Sequence, residues 1–203
     1  TVTGKGGHAA KPHASIDTTL IASHIIIALQ SIASRNADPI KSIVVSVTSF
    51  RTETEAFNVI PERVTLRGTI RTFEKELRAL GEERLKALVP QIAGAFGGSA
   101  EIDWRPGYPA TVNWEAETTY AAEAARTVAG DVDTNAEPLM GGEDFSYVLQ
   151  EVPGALAWLG ACPPGSDPDT AAPNHSNLVV FDEEPLPAGV ALYAQMALDA
   201  LTP

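Results

Sequence analysis

The chain has 203 residues, 44% of them hydrophobic and 20% charged, with 14 basic and 26 acidic side chains and a formal net charge of −12. That composition provides a core for one large domain or two small ones and excludes a disordered chain. The acidity, with no basic run to displace counterions from phosphates, speaks against nucleic acid and anionic membranes as partners.

Taken in chain order, residues 1–3 read as the tail of a strand and lead into the loop GKGGHAAKPH, residues 4–13. Ile16, Leu20, Ile21, Ile25, Leu29 and Ile32 then recur at helical spacing, with Ser15 or Asp17 as the N-cap and an end near Asn36. SIVVSVTSF alternates as a strand, and RVTLRGTIRT as another. In the second, Val64, Leu66 and Ile70 point one way and Thr65, Arg67, Thr69 and Arg71 the other. TETEAFNVIPE connects the two. Leu77, Leu80, Leu85, Leu88, Ile92 and Phe96 mark a second helix, which Pro90 should kink or split and the glycines at 97–98 should end. AEIDWRP alternates as a last strand. Residues 1–105 thus run β-α-β-β-α-β, the order of a ferredoxin-like sandwich with two helices on one face of an antiparallel sheet.

The remainder, residues 106–203, is predicted to hold a helix over EAETTYAAEAARTVAG, a buried strand at GALAWLG, a loop at PGSDPDTAAPNHS and a terminal helix over PAGVALYAQMALDAL. This is too little sheet for an independent domain, and it reads as part of a larger α/β domain. The single cysteine, Cys162, excludes an internal disulfide and fits a reducing, cytoplasmic compartment. LIASHIIIALQSIA is too short and too interrupted by polar residues to span a bilayer. The opening TVTGKGG is no secretory leader, and with no initiator methionine the chain reads as a fragment.

The opening loop invites a phosphate or a metal reading. The phosphate reading fails on spacing, because a P-loop places four residues between its first glycine and the Gly-Lys pair, whereas Lys5 follows Gly4 directly. Metal binding by His8 and His13 is disfavoured by the two neighbouring lysines, and a solvated loop histidine is the plainest alternative. A solvated strand arginine is likewise the plain reading of Arg71, as a solvated loop histidine is of His175. Glu143 and Asp144 equally suit the start of a helix.

Together, GKGGHAAKPH, LQSIASR, FNVIPERVTLRGTIRT, MGGEDFSY and NHSNLVVFDE, in that order, resemble the aminoacylase–carboxypeptidase family of two-metal peptidases. The similarity is to its N-acyl-amino-acid amidohydrolase branch, which includes hippurate hydrolases. The resemblance implies a lid and dimerisation domain at 1–105, followed by the C-terminal portion of a catalytic domain at 106–203. It implies hydrolysis of the amide of N-acyl amino acids, with two divalent metals, zinc or manganese, per subunit and a homodimer formed through the lid. His8 is then the catalytic residue that reaches into the partner's site to stabilise the oxyanion. Asn58 and Arg71 bind substrate, Arg71 as a bidentate carboxylate clamp with Arg67 as its rival. Gly141 and Gly142 offer backbone amides to the substrate, and His175 is a metal ligand. The family's upstream Cys-Gly-His-Asp stretch, its Glu-Glu pair and its further histidine have no counterpart here. Cys162 lies in another context and reads as a structural thiol. The expectation is therefore an incomplete metal set and an inactive isolated chain. The alternative is a non-catalytic dimerising or ligand-binding module.

Overall fold

In the computed structural model, which describes residues 1–202, the chain divides into two units. One comprises residues 1–110 with 140–142, and the other residues 111–139 with 143–203.

The first unit opens with β1 (Val2–Thr3) and β2 (Gly7–His8), followed by α1 (Thr18–Ser31). Asp17 starts that helix: its carboxylate accepts the amides of Thr19 and Leu20, two of the donors a helix start leaves unpaired. A π-helical turn, Ile32–Asn36, carries the chain out of α1 at the end the sequence predicts. Then come β3 (Ile43–Thr52), β4 (Val59–Ile60), β5 (Arg63–Thr72), α2 (Lys75–Ala95) and β6 (Ser99–Ala100).

The main sheet has the order β3-β5-β1-β6, with every pairing antiparallel. Both helices contribute to one core against it. Ile21, Ala22, Ile25 and Leu29 of α1, Val89 and Ala93 of α2, and Val2 and Val64 of the sheet are all buried together, with Ile43, Val45, Val47 and Leu66 packed around them. Each fully buried Val or Ile contributes about 1.5–3 kcal/mol of burial free energy. The arginine-bearing face of β5 lies on the other side. Between Val47 and Ser49 the register to β5 shifts, so Thr48 is the extra residue of a bulge that the simple alternation does not reveal.

Pro90 neither splits nor ends α2, which runs unbroken through it. The ring removes one helical hydrogen bond, but Pro90 itself is exposed while Val89 and Ala93 are buried, so packing on either side retains the helix. The helix ends in a Schellman arrangement. Gly97 takes φ +80°, its amide donates to the Gly94 carbonyl, and the Gly98 amide donates to that of Ala93. The final strand is shorter than AEIDWRP suggests, because its ladder partner β1 is itself only two residues long.

The second unit holds α3 (Glu115–Val128), α4 (Phe145–Glu151) and α5 (Leu186–Leu201). α3 packs on α5, and the Tyr120 hydroxyl donates to the Met196 carbonyl. The predicted strand at GALAWLG does not form, and Trp158 is 64% exposed. The Asn113 side chain satisfies both the amide and the carbonyl of Leu156, each at 2.8 Å, in place of a neighbouring strand. Without a ladder partner, an apolar run stays irregular. Cys162 is exposed rather than packed as a structural thiol. No helix among the described residues is long and apolar enough to cross a membrane.

Candidate substrate-binding site

His8 sits at one corner of the first unit. The glycines before it allow close backbone contacts. The Lys5 amide and carbonyl bond with those of Ile16, and a Cβ on Gly4 would lie 2.4 Å from the Ile16 carbonyl oxygen. β2 then pairs with β4, with Gly7 opposite Ile60 and His8 opposite Val59, and the Ala9 amide donates to the Asn58 carbonyl at 2.9 Å. This small ladder brings His8 and Asn58 together, fifty residues apart in sequence and both exposed. The Ala10 amide donates to His8 Nδ1 at 3.0 Å. An imidazole whose Nδ1 accepts carries its proton on Nε2, so the outward nitrogen is a donor. Phe57, beside Asn58, is 99% exposed.

Arg71 stands near the far end of β5, eight residues beyond Arg63, which is about 26 Å at the usual strand rise. β5 leaves the β4 corner at Arg63, so a wide gap separates Arg71 from the His8–Asn58 corner. Arg71 Nε donates to Thr69 Oγ1 at 3.0 Å, leaving the Nη edge of the guanidinium for an end-on pair. No ion pair involves Arg71 among the described residues. Gly142 lies against it: a Cβ there would come within 2.9 Å of Arg71 Nη1 and 3.4 Å of the Tyr108 ring. Arg67 is exposed on the same strand face, and Gly142 lies beside Arg71 rather than Arg67. Gly141 has open space where a side chain would project.

His175 is exposed in the second unit, in a turn closed by the Ser176 amide on the Pro173 carbonyl. Its φ of 71° makes it the one non-glycine residue with positive φ among those described. That left-handed backbone is uncommon for a residue with a side chain. Among the described residues no three His, Cys, Asp or Glu side chains gather as a metal site would require. One imidazole does not fit a two-metal centre, which needs more ligands than these residues bring together. Glu143 and Asp144 precede α4, where the Ser146 amide and hydroxyl both bond to the Glu143 carbonyl.

Two features escape a reading of the sequence. β2 and β4 are too short to show a period, so the His8–Asn58 pairing has no sequence signal beyond the two motifs themselves. Tyr108 was visible only as an aromatic inside the turn-forming run PGYP.

Comparison with known proteins places the chain as a whole in a family. The model of Peptidase family M20/M25/M40 matches residues 5–199. The N-acetylcysteine deacetylase of Bacillus subtilis is 35% identical over 200 residues, which span 98% of this chain and 50% of that protein. The N-acetyldiaminopimelate deacetylase of Brevibacillus brevis is 42% identical over 162 residues, 79% of this chain and 43% of that protein. Among solved structures, the YxeP protein of Bacillus subtilis, described as a dinuclear metal binding peptidase, superposes with a TM-score of 0.68 at 31% identity, covering 91% of this chain and 46% of that one. The chain thus spans about half the length of the relatives it matches. With a family match across nearly its whole length and a mixed α/β architecture shared with a solved member, the chain belongs to peptidase family M20/M25/M40.

Proposed function

We propose that this chain is part of a metal-dependent amidohydrolase that cleaves the amide bond of N-acyl amino acids in the cytoplasm. In this reading residues 1–105 form a ferredoxin-like lid and dimerisation domain, and residues 106–203 the C-terminal portion of the catalytic domain. The β3-β5-β1-β6 sheet with α1 and α2 packed against it supports the lid reading. The substrate class follows the deacetylase relatives.

The observation that carries the reading is the Ala10 amide on His8 Nδ1. It leaves Nε2–H as a donor at an exposed corner, suited to an oxygen that gains negative charge during attack on an amide. That corner also carries Phe57, almost wholly in water, as expected of a tip that docks into another surface. Arg71 binds the substrate carboxylate through its Nη edge, since guanidinium and carboxylate match in a two-bond fork. Because Arg71 lies far along β5 from His8 and Asn58, one copy cannot bring all three to one substrate. In a two-fold dimer, His8 and Asn58 act in the partner's centre. α1 and β3 form the dimer contact: β3 is an edge of the sheet, and Leu20 and Ile27 of α1 are exposed. His175 supplies one ligand of a pair of divalent ions, zinc or manganese, whose other ligands lie outside the described residues. Gly141 and Gly142 line the substrate path with backbone.

Subunit complementation in a full-length enzyme carrying this chain tests the reading. His8→Ala subunits are exchanged with subunits whose metal ligands are destroyed. Activity returning from two inactive parents supports cross-subunit action. No return despite verified exchange, or loss of metal on His8→Ala, overturns it. The second reading, a non-catalytic dimerising module, draws on the lack of a gathered ligand set among the described residues. Metal analysis separates the two, because a competent site holds about two tightly bound ions per subunit.

A further inference from the structure

We infer that Gly142 and Tyr108 are specificity-determining partners of Arg71. Gly142, by having no side chain, keeps the guanidinium in position, and Tyr108 walls the space where a substrate carboxylate meets it. The inference rests on the reading of Arg71 as the carboxylate clamp and adds what holds that clamp in place.

Three observations converge on it. First, the clearance at Gly142 is one-sided. A Cβ there meets Arg71 Nη1 at 2.9 Å, the Tyr108 ring at 3.4 Å and the Tyr108 Cβ at 4.0 Å, with no backbone atom among these nearest neighbours. The nearest atom is the end of a long, flexible side chain, so an added methyl moves the guanidinium rather than the fold. Gly142 does not have the positive φ that sets Gly97, Gly107, Gly130 and Gly165 apart, so an alanine would meet no left-handed backbone penalty. The role of this glycine is therefore the space it leaves. Second, Arg71 is already fixed at its inner end by Thr69 Oγ1. A guanidinium tied at Nε and bounded at Nη1 presents one edge, which suits a planar carboxylate and not a single-point acceptor. Third, the segment bearing Tyr108 is itself tied down. Arg78 of α2 donates through Nη2 to the Pro106 and Gly107 carbonyls, the latter at 2.7 Å. α2 thereby positions the backbone beside Tyr108, making Arg78 a positioning residue one step removed. Tyr108 is 52% exposed, so about half of it is open to solvent.

The ligand class is a free carboxylate beside an amide, as in an N-acyl amino acid. The carboxamide of the same molecule lacks the charge and the second equivalent oxygen, and so should bind poorly. Tyr108, walling the guanidinium's surroundings, sharpens the preference for the charged carboxylate over its amide, while Gly142 sets whether the carboxylate binds.

The probe is hippurate, with its carboxamide as the paired control, titrated into the full 203-residue chain and followed by calorimetry and by the Arg71 Nε–H resonance. Hippurate binding is expected to exceed that of the amide, with the Arg71 resonance shifting. Arg71→Ala should weaken hippurate binding by about a hundredfold. Gly142→Ala should weaken it by at least about tenfold, and in the absence of ligand should itself shift the Arg71 resonance, with the thermal midpoint unchanged. Tyr108→Ala should narrow the difference between hippurate and its amide. Gly160→Ala, at a glycine where a Cβ would meet nothing within 4 Å, should change nothing. If Arg71→Ala leaves hippurate binding intact, or the unaltered chain fails to prefer hippurate to its amide, the underlying clamp is wrong. If Arg71→Ala abolishes binding while Gly142→Ala and Tyr108→Ala bind as the unaltered chain does, the clamp stands and this inference falls. Should Gly142→Ala lower the thermal midpoint, Tyr108→Ala decides alone: loss of acid-over-amide preference upholds the inference, and retention overturns it.

Discussion

At the scale of single residues, position along a strand or before a helix decides what a side chain does. Asp17 accepts hydrogen bonds from two backbone amides at the start of α1, where nothing in the helix itself would pair those donors. Asp17→Ala should therefore cost about 1 kcal/mol of stability, read by urea denaturation, whereas Asp17→Asn should cost less because the amide oxygen still accepts. Arg71 and Arg67 share a strand, a face and exposure, yet Arg71 stands beside Gly142 and bonds Thr69. In a full-length enzyme, Arg71→Ala is expected to raise KM far more than it lowers kcat, by the equivalent of about 2–5 kcal/mol of binding. Arg67→Ala should do much less. Steady-state kinetics on an N-acyl amino acid compare them, and the reverse ranking would assign the clamp to Arg67.

At the scale of elements, burial outweighs local propensity in α2. A proline in a helix interior costs about 3 kcal/mol relative to alanine, and Pro90 sits there without ending the helix. Val89 and Ala93 anchor the helix on the sheet, and Pro90 faces solvent. Pro90→Ala should thus raise stability by about 1–3 kcal/mol, visible as a higher denaturation midpoint at unchanged m-value. No gain would mean that the helix is bent around the ring and that alanine does not straighten it. The helices and long strands were legible because their periods run over ten residues or more. Ile21, Ile25 and Leu29 recur where α1 meets the core, and β5 spans the predicted Arg63–Thr72. GALAWLG was misread because apolar content alone cannot supply a ladder partner. The pairing of Leu156 with the side chain of Asn113 is a contact forty-three residues away that no local pattern encodes.

At the scale of the molecule, the two units bury their apolar residues unequally. α5 has no buried residue, and Val190, Tyr193, Leu198 and Leu201 are each more than 60% exposed. Surfaces of that kind mark contacts with other protein. The edge position of β3 and the exposed apolar side chains of α1 add a second such surface in the first unit. The chain should therefore be at least dimeric at micromolar concentration, and light scattering over a dilution series checks this. A strict monomer would count against the lid. The 203-residue chain should not hydrolyse hippurate or N-acetyl amino acids with zinc, manganese or cobalt added, because its described residues gather no ligand set. Metal-dependent turnover by the chain alone would overturn that assignment.

The sequence by itself determined the longer helices, the first starting at Ser15 or Asp17 and the second stopping at the glycines 97–98, the two long strands, and the motifs that identify the family. These are local properties: a period, a cap or a short string of residues is complete within a few turns of chain. Tertiary structure alone decided the rest. It joined His8 to Asn58 through a two-residue ladder, separated that corner from Arg71 by most of a strand, and set Gly142 beside both the Arg71 guanidinium and the Tyr108 ring. Those relations join residues tens of positions apart, where the chain's path through the core, and not the pattern around any one residue, determines which groups meet.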